Sequence, residues 1–238
     1  MHGDGEGLLP NRAATLLRAA TPAWRLVAAA AAATLIVLAV PTQASAGELR
    51  YGDRGWAVAS LQRRLVELGY LGRGEVDGTF GDQTWYAVVA FQGWEQIQRD
   101  GVVGPETRWA LRDARPPKPW QRLPRALEID LTRQVLLVVE DGAVRRIVHA
   151  STGARPPTPK GRFRVVRRLR KSWSRRYHVW LRYALYFRRG FAIHAFPIVP
   201  DQPASHGCVR IPVEDARFVF DAAPLGTPIL IRGRTSRS

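Results

Sequence analysis

The chain has 238 residues, 36 Lys plus Arg against 20 Asp plus Glu, and 46% apolar residues, which excludes a disordered or collagen-like protein. A single Cys excludes an internal disulfide framework, and 21 Gly with 17 Pro favour a loop-rich, strand-rich chain over a helical bundle. The formal charge of +16 rests almost wholly on Arg, whose planar fork suits carboxylates and phosphates; acidic wall polymers, nucleic acid and anionic lipid are the partners it allows.

The N-terminus separates those partners. Arg12, Arg18 and Arg25 precede an uncharged run from Leu26 to Val40, and Ala44-Ser45-Ala46 supplies the small-x-small pattern of a signal peptidase site. Residues 1–46 read as an export signal, with an uncleaved membrane anchor as the alternative. As a helix the run reaches about 22 Å, short of the roughly 30 Å hydrocarbon core. Export to the cell wall or the outer face of the membrane makes nucleic acid an unexpected partner, and a membrane contact is expected only if the segment is retained.

Residues 48–111 contain an internal echo. Asp77-Gly78-Thr79-Phe80-Gly81-Asp82-Gln83-Thr84 recurs as Asp100-Gly101-Val102-Val103-Gly104-Pro105-Glu106-Thr107, each copy a tight turn followed by a helix start. Val58, Leu61, Leu65 and Leu68 at helical spacing give one helix, and Val88 and Phe91 with Trp94 or Glu95 give another, so a small three-helix module is expected. Gly52-Asp53-Arg54-Gly55, Leu61-Gln62, Leu68-Gly69-Tyr70, Val76-Asp77-Gly78-Thr79-Phe80-Gly81, Phe91-Gln92 and the second Asp-Gly copy resemble the peptidoglycan-binding domain that accompanies many wall enzymes. The competing reading is a compact helical spacer, since no sugar-contacting residue stands out. Pro116, Pro117, Pro119 and Pro124 mark residues 112–125 as an inter-domain linker.

Residues 126–232 change character, and residues 233–238 form a tail. Short apolar or alternating runs at 126–131, 135–139, 143–150, 163–166, 191–196 and 229–231 read as strands, with Asp141-Gly142 as a hairpin turn. Pro212 followed by Ala216, Val219 or Phe220, and Ala223 predicts one short helix. The expected fold class is α+β: the three-helix module plus a mostly antiparallel β-sandwich or open barrel with one short helix.

Ser205-His206-Gly207-Cys208-Val209-Arg210 concentrates the chemistry. If this stretch is extended, His206, Cys208 and Arg210 share a face. A free thiol is only about 3% thiolate at pH 7, and neighbouring positive charge is expected to lower its pKa. Backbone N–H groups at Gly207 and Cys208 are candidate oxyanion donors. His194, in the strand 191–196, is the first candidate for the base. His206 is either a second proton carrier or a supporting donor, and His149 and His178 read as ordinary strand residues. No cofactor is expected; zinc on His194, His206 and Cys208 would lack a recognised ligand spacing.

These runs, with Ser151-Thr152-Gly153, Thr158-Pro159-Lys160-Gly161-Arg162-Phe163, Phe191-Ala192-Ile193-His194 and Gly226-Thr227-Pro228, resemble the L,D-transpeptidase (YkuD-type) catalytic domain over nearly all of residues 126–232. The resemblance implies a cysteine acyltransferase that cross-links peptidoglycan stem peptides, with Cys208 as nucleophile and His194 as base. Arg210 would hold a stem carboxylate or depress the thiol pKa, an ion pair of purely structural use being the other reading. Ser205 would bind the loop or the substrate. The family commonly has Gly where this chain has Ala195; the implied role is a backbone carbonyl that orients the imidazole, and Ala strains the site only if a positive φ is required there. A hydrolase using the same Cys and His, and a non-catalytic wall-binding protein, are the alternatives.

Between Gly161 and Gly190 stand eleven Lys or Arg and no acid, interleaved with Trp173, Tyr177, Trp180, Tyr183, Tyr186 and Phe187. In an exported protein this suggests a basic, aromatic cap over the cleft, attracting carboxylate-rich stems or anionic wall polymers; a solvated face over packed aromatics is the alternative.

Overall fold

Helix α1, Trp56–Leu68, opens the described part of the computed structural model, which covers residues 47–234; the export-signal reading of residues 1–46 lies outside it. The echo builds two matching halves. Within α1, Gln62 is buried, and its amide donates to Asp77 Oδ1 (2.8 Å), Thr79 O (3.0 Å) and Thr84 Oγ1 (2.9 Å) while its carbonyl accepts from Gly78 N. In the second half Gln92 does the same toward Asp100 Oδ1, Val102 O, Thr107 Oγ1 and Gly101 N. Each Asp-Gly turn is thus satisfied by an amide one helix upstream, and each leads into a helix: α2, Asp82–Glu95, and α3, Pro105–Asp113. Helix α3 continues past the expected end of the module, so the irregular stretch begins at Ala114.

The β domain follows with β1 (Arg125–Asp130), β2 (Val135–Glu140), β3 (Ala143–His149), β4 (Gly161–Arg164), β5 (Arg167–Ser174), β6 (Val179–Arg188), β7 (Phe191–Phe196), β8 (Val209–Pro212), helix α4 (Val213–Ala222) and β9 (Pro228–Arg232). One sheet has the order β3-β2-β1-β9-β4 and the other β5-β6-β7-β8. Pairing is mostly antiparallel; β1 with β9 and β7 with β8 are parallel. Asp141 and Gly142 turn the β2–β3 hairpin with φ of 52° and 70°, as a two-residue turn in the left-handed region demands. Leu127, Ile129, Leu136, Val138, Ile193, Val209 and Ile229 meet in the core between the sheets.

The run Val135-Leu136-Leu137-Val138-Val139 is buried on both faces because the helical module covers the outer one. Val135, Leu137 and Ile147 pack with Val58, Leu65, Phe80, Val88 and Phe91 in a second core shared by helices and sheet. Helix α2 is therefore buried nearly all round, and a Cβ on Gly93 would meet Arg133 O at 2.5 Å. The Pro-rich stretch is also fastened: Trp120 N and Gln121 N donate to buried Glu128 on β1, and the Arg232 guanidinium lies 3.5 Å from the centre of the Trp120 ring.

A buried ion cluster ties the two parts. Arg146 on β3, 8% exposed, donates to Glu75 in the turn after α1 (2.9 Å) and to Asp215 on α4 (2.9 Å). Arg146→Met removes the cation and strands two carboxylates, one of them buried, so a loss of about 3–5 kcal/mol is expected from removing one partner of a buried pair. A urea or thermal melt checks it; a change below about 1 kcal/mol would show the carboxylates to be solvated.

Candidate active site

The parallel register of β7 and β8 organises the site. His194 stands opposite Arg210 and Ile193 opposite Val209, so the two side chains share one face of the sheet, and Cys208 sits at the residue that leads into β8. Parallel neighbours need a long connection, supplied here by the loop 197–208 rather than a helix. On its other edge β8 bonds to Ser151, with Ser151 N donating to Arg210 O and Arg210 N to Ser151 O, both at 2.9 Å.

His194 is 4% exposed, and its Nδ1 lies 2.8 Å from Ala195 O. A carbonyl can only accept, so Nδ1 carries the proton and Nε2 keeps its lone pair. Burial above all, with a smaller push from Arg210, lowers the imidazole to about 4, and the ring is neutral at pH 7. Ala195 supplies the carbonyl from ordinary strand backbone and is not among the residues of positive φ, so the strain considered for it does not arise.

Cys208 is half-buried, and its Sγ lies 3.8 Å from Gly190 O. Burial pushes the thiol up, outweighing the Ala192 N–H and the Arg210 charge that pull it down. This corrects the expectation of a thiol acidified at rest: the positive neighbours are present, but desolvation wins. Arg210 donates to Ala204 O (3.2 Å) and lies 4.1 Å from the centre of the Phe196 ring. Among the described residues no carboxylate pairs with it, which removes the structural ion pair considered for it.

The loop before Cys208 is bent rather than extended. Gly207 has φ 101°, and strand geometry begins only at Val209, so the alternation that would put His206 beside Cys208 does not apply. His206 is exposed and stacks on Tyr177, from the β5–β6 turn, with ring centres 5.0 Å apart. Ser205 Oγ accepts from Gly207 N (3.1 Å) and donates to Cys208 O. The Gly207 N–H is thus already engaged, and of the two candidate oxyanion donors the Cys208 N–H is the one with no acceptor among the described residues.

His149 is a strand residue as expected, closing β3 fully buried and lowered to about 4 chiefly by burial. His178 departs from that expectation and sits in the β5–β6 turn with φ 50° and its ring edge-on to Trp173. The cationic stretch spans β4, β5 and β6; Trp173, Tyr177 and Trp180 are exposed near the β5–β6 tip, while Phe187 lies in the core.

Three residues without a role assigned from sequence hold the loop. Thr158 Oγ1 accepts from Gly153 N (2.8 Å) and donates to Gly207 O (3.0 Å), Thr152 O accepts from Ala204 N and Ser205 N, and buried Gln134 brackets Thr152 from both sides of its amide. Thr152 and Thr158 lie in the quoted runs; for Gln134 the one mark is an amide heading an all-apolar strand. Gly207→Ala should collapse turnover, because its Cβ would meet the Phe191 ring at 2.2 Å in a conformation L residues avoid. Stem-peptide turnover reads the outcome, and wild-type rates in that variant would show that the loop tolerates a different backbone.

Against known proteins, the L,D-transpeptidase catalytic domain (YkuD) matches residues 124–231 and the peptidoglycan binding domain matches residues 54–111. The crystal structure of an L,D-transpeptidase from Xylanimonas cellulosilytica is 36% identical, with a TM-score of 0.69, over 77% of this chain and 97% of that one. This chain belongs to the L,D-transpeptidase family. A second L,D-transpeptidase structure, from Stackebrandtia nassauensis, is 25% identical at a TM-score of 0.51 over 80% of this chain and 97% of that one. An N-acetylmuramoyl-L-alanine amidase of Mycobacterium tuberculosis is 47% identical over 61 residues, 26% of this chain and 14% of that protein. The chain spans less than a fifth of the amidases it matches. No helix among the described residues is long and apolar enough to cross a membrane.

Proposed function

We propose that this L,D-transpeptidase family member is an exported cysteine acyltransferase that cross-links peptidoglycan stem peptides through a thioester on Cys208. The observation that carries the reading is the neutral, oriented His194, its lone pair on Nε2, in register with Arg210 on the strand that Cys208 leads into.

Nε2 of His194 takes the thiol proton as sulfur bonds to the carbonyl carbon of the third stem residue. The Cys208 N–H donates to the developing oxyanion. As the C–N bond to the terminal D-alanine breaks, the imidazolium returns the proton to the departing amine and a thioester remains. The side-chain amine of a second stem then attacks, gives its proton to His194, and the thiol is regenerated by that proton as the new amide forms. Because the resting thiol is protonated, proton transfer and attack proceed together. Ala195 fixes the tautomer, Arg210 holds a stem carboxylate, Ser205 braces the loop, and His206 with Tyr177 forms the rim. The helical module binds the glycan, and the basic, aromatic β5–β6 hairpin draws in carboxylate-rich stems or anionic wall polymers.

Incubation of the full chain with a tetrapeptide stem, followed by mass spectrometry, tests this. A cross-linked dimer with loss of alanine is expected. Tripeptide alone would identify a hydrolase, and no turnover would leave a wall-binding role.

A further inference from the structure

The helical module touches the loop that carries the nucleophile. Tyr86, on the face of α2 turned toward the β domain, accepts a hydrogen bond at its hydroxyl from Val199 N (3.1 Å). Val199 is 1% exposed although Ile198 beside it is 76% exposed, so the loop is pulled inward at this one residue. The Tyr86 ring stacks on His149, with centres 5.8 Å apart and planes 14° apart, and His149 Nε2–H donates to Pro200 O at 2.9 Å. Arg99, between α2 and α3, donates to Arg133 O (3.3 Å) and feels the Asp201 charge without a direct ion pair. Ser151 Oγ then donates to Gln202 O, and Thr152 O takes Ala204 N and Ser205 N. Attachments at Val199, Pro200, Gln202, Ala204 and Ser205 lead from the module to the turn that presents Cys208.

We infer that Tyr86 is a positioning residue for the Cys208 loop, and that the peptidoglycan-binding module serves as part of the active-site scaffold. This rests on the proposed acyl transfer for its kinetic consequence, but its structural content is independent of it. A loop released at Val199 lets water reach the sulfur, and the burial that keeps the thiol protonated weakens. The side chain of Tyr86 touches no reacting atom, so its removal acts through the loop alone.

The test uses Tyr86→Phe, which keeps the stacking on His149 and removes only the acceptor, and Gln62→Ala, which loosens the module at a site away from the loop. Cys208 is the sole thiol, so the pH profile of its alkylation by iodoacetamide reads the loop directly. Tyr86→Phe is expected to move the alkylation midpoint to lower pH and to reduce kcat on the stem peptide about 3- to 10-fold with KM unchanged; Gln62→Ala is expected to lower the melting temperature without moving the midpoint. A folded Tyr86→Phe with the wild-type midpoint, or an equal shift from Gln62→Ala, overturns the inference. If Tyr86→Phe does not fold, hydrogen exchange of the Val199 amide in the unaltered chain decides: slow exchange supports the clamp, and exchange at the rate of a free loop overturns it. Absence of stem turnover in the wild type would defeat the acyl-transfer reading while leaving the alkylation comparison intact.

Discussion

Cys208→Ala is expected to lower stem-peptide turnover by at least about 10⁴-fold while leaving the fold intact. A nucleophile that forms the covalent intermediate has no substitute, and loss of such a group elsewhere removes nearly all of the chemical acceleration. The fold should survive because Sγ makes only weak contacts, 3.8 Å to Gly190 O and with the Ala192 N–H, and the loop is held by Ser205, Thr152 and Thr158 instead. Steady-state kinetics and a thermal melt, run on the same preparation, check both halves. Turnover within tenfold of wild type would remove the thioester from the mechanism.

His194→Gln has the second largest expected effect, a fall of about 10²- to 10⁴-fold in kcat, the range general acid–base groups supply. The pH dependence carries the sign. The buried imidazole, lowered to about 4, is neutral and competent as a base from about pH 5 upward, and it is protonated and lost to that role as pH falls through 4. The thiol is raised, so alkylation of Cys208 should increase only on the alkaline side and show no plateau near pH 6 of the kind a resting thiolate–imidazolium pair produces. Rates of kcat/KM and of iodoacetamide alkylation from pH 4 to 10 test this. A thiolate plateau at neutral pH would mean that Arg210 outweighs burial.

Much of the architecture was legible because single residues carry strong local instructions. Asp141-Gly142 specified its hairpin, Pro212 the start region of α4, and the repeated Asp-Gly turns the helical halves. What escaped depends on partners far along the chain. β4 to β6 with their flanks carry eleven Lys or Arg, and the alternation of β5 and β6 is hidden because exposed Trp173 and Trp180 stand among the cations while Phe187 and Tyr183 turn to the core. The covering of β2 and β3 by α2 appears in sequence only as an all-apolar strand, which a sheet-against-sheet core would equally explain.

The site divides in the same way. Cys208, His194 and the Ala195 carbonyl were named from the ordered short runs, and the structure holds His194 Nδ1 on Ala195 O. The thiol's state is not legible in the sequence, since adjacent charges are visible there and desolvation is not. Strand alternation would set His206 beside the nucleophile, but the positive φ of Gly207 interrupts it. Tyr86 gave no signal at all: its partner Val199 is a backbone N–H more than a hundred positions away.

Intact-protein mass spectrometry during reaction with the tetrapeptide stem tests the covalent claim most directly. Acid quenching within a turnover should reveal a species heavier by the stem acyl group minus alanine, hydroxylamine-sensitive as a thioester is, with the mass mapped by proteolysis to the peptide bearing Cys208. Products accumulating with no adduct at any time, and equally in Cys208→Ala, would contradict it.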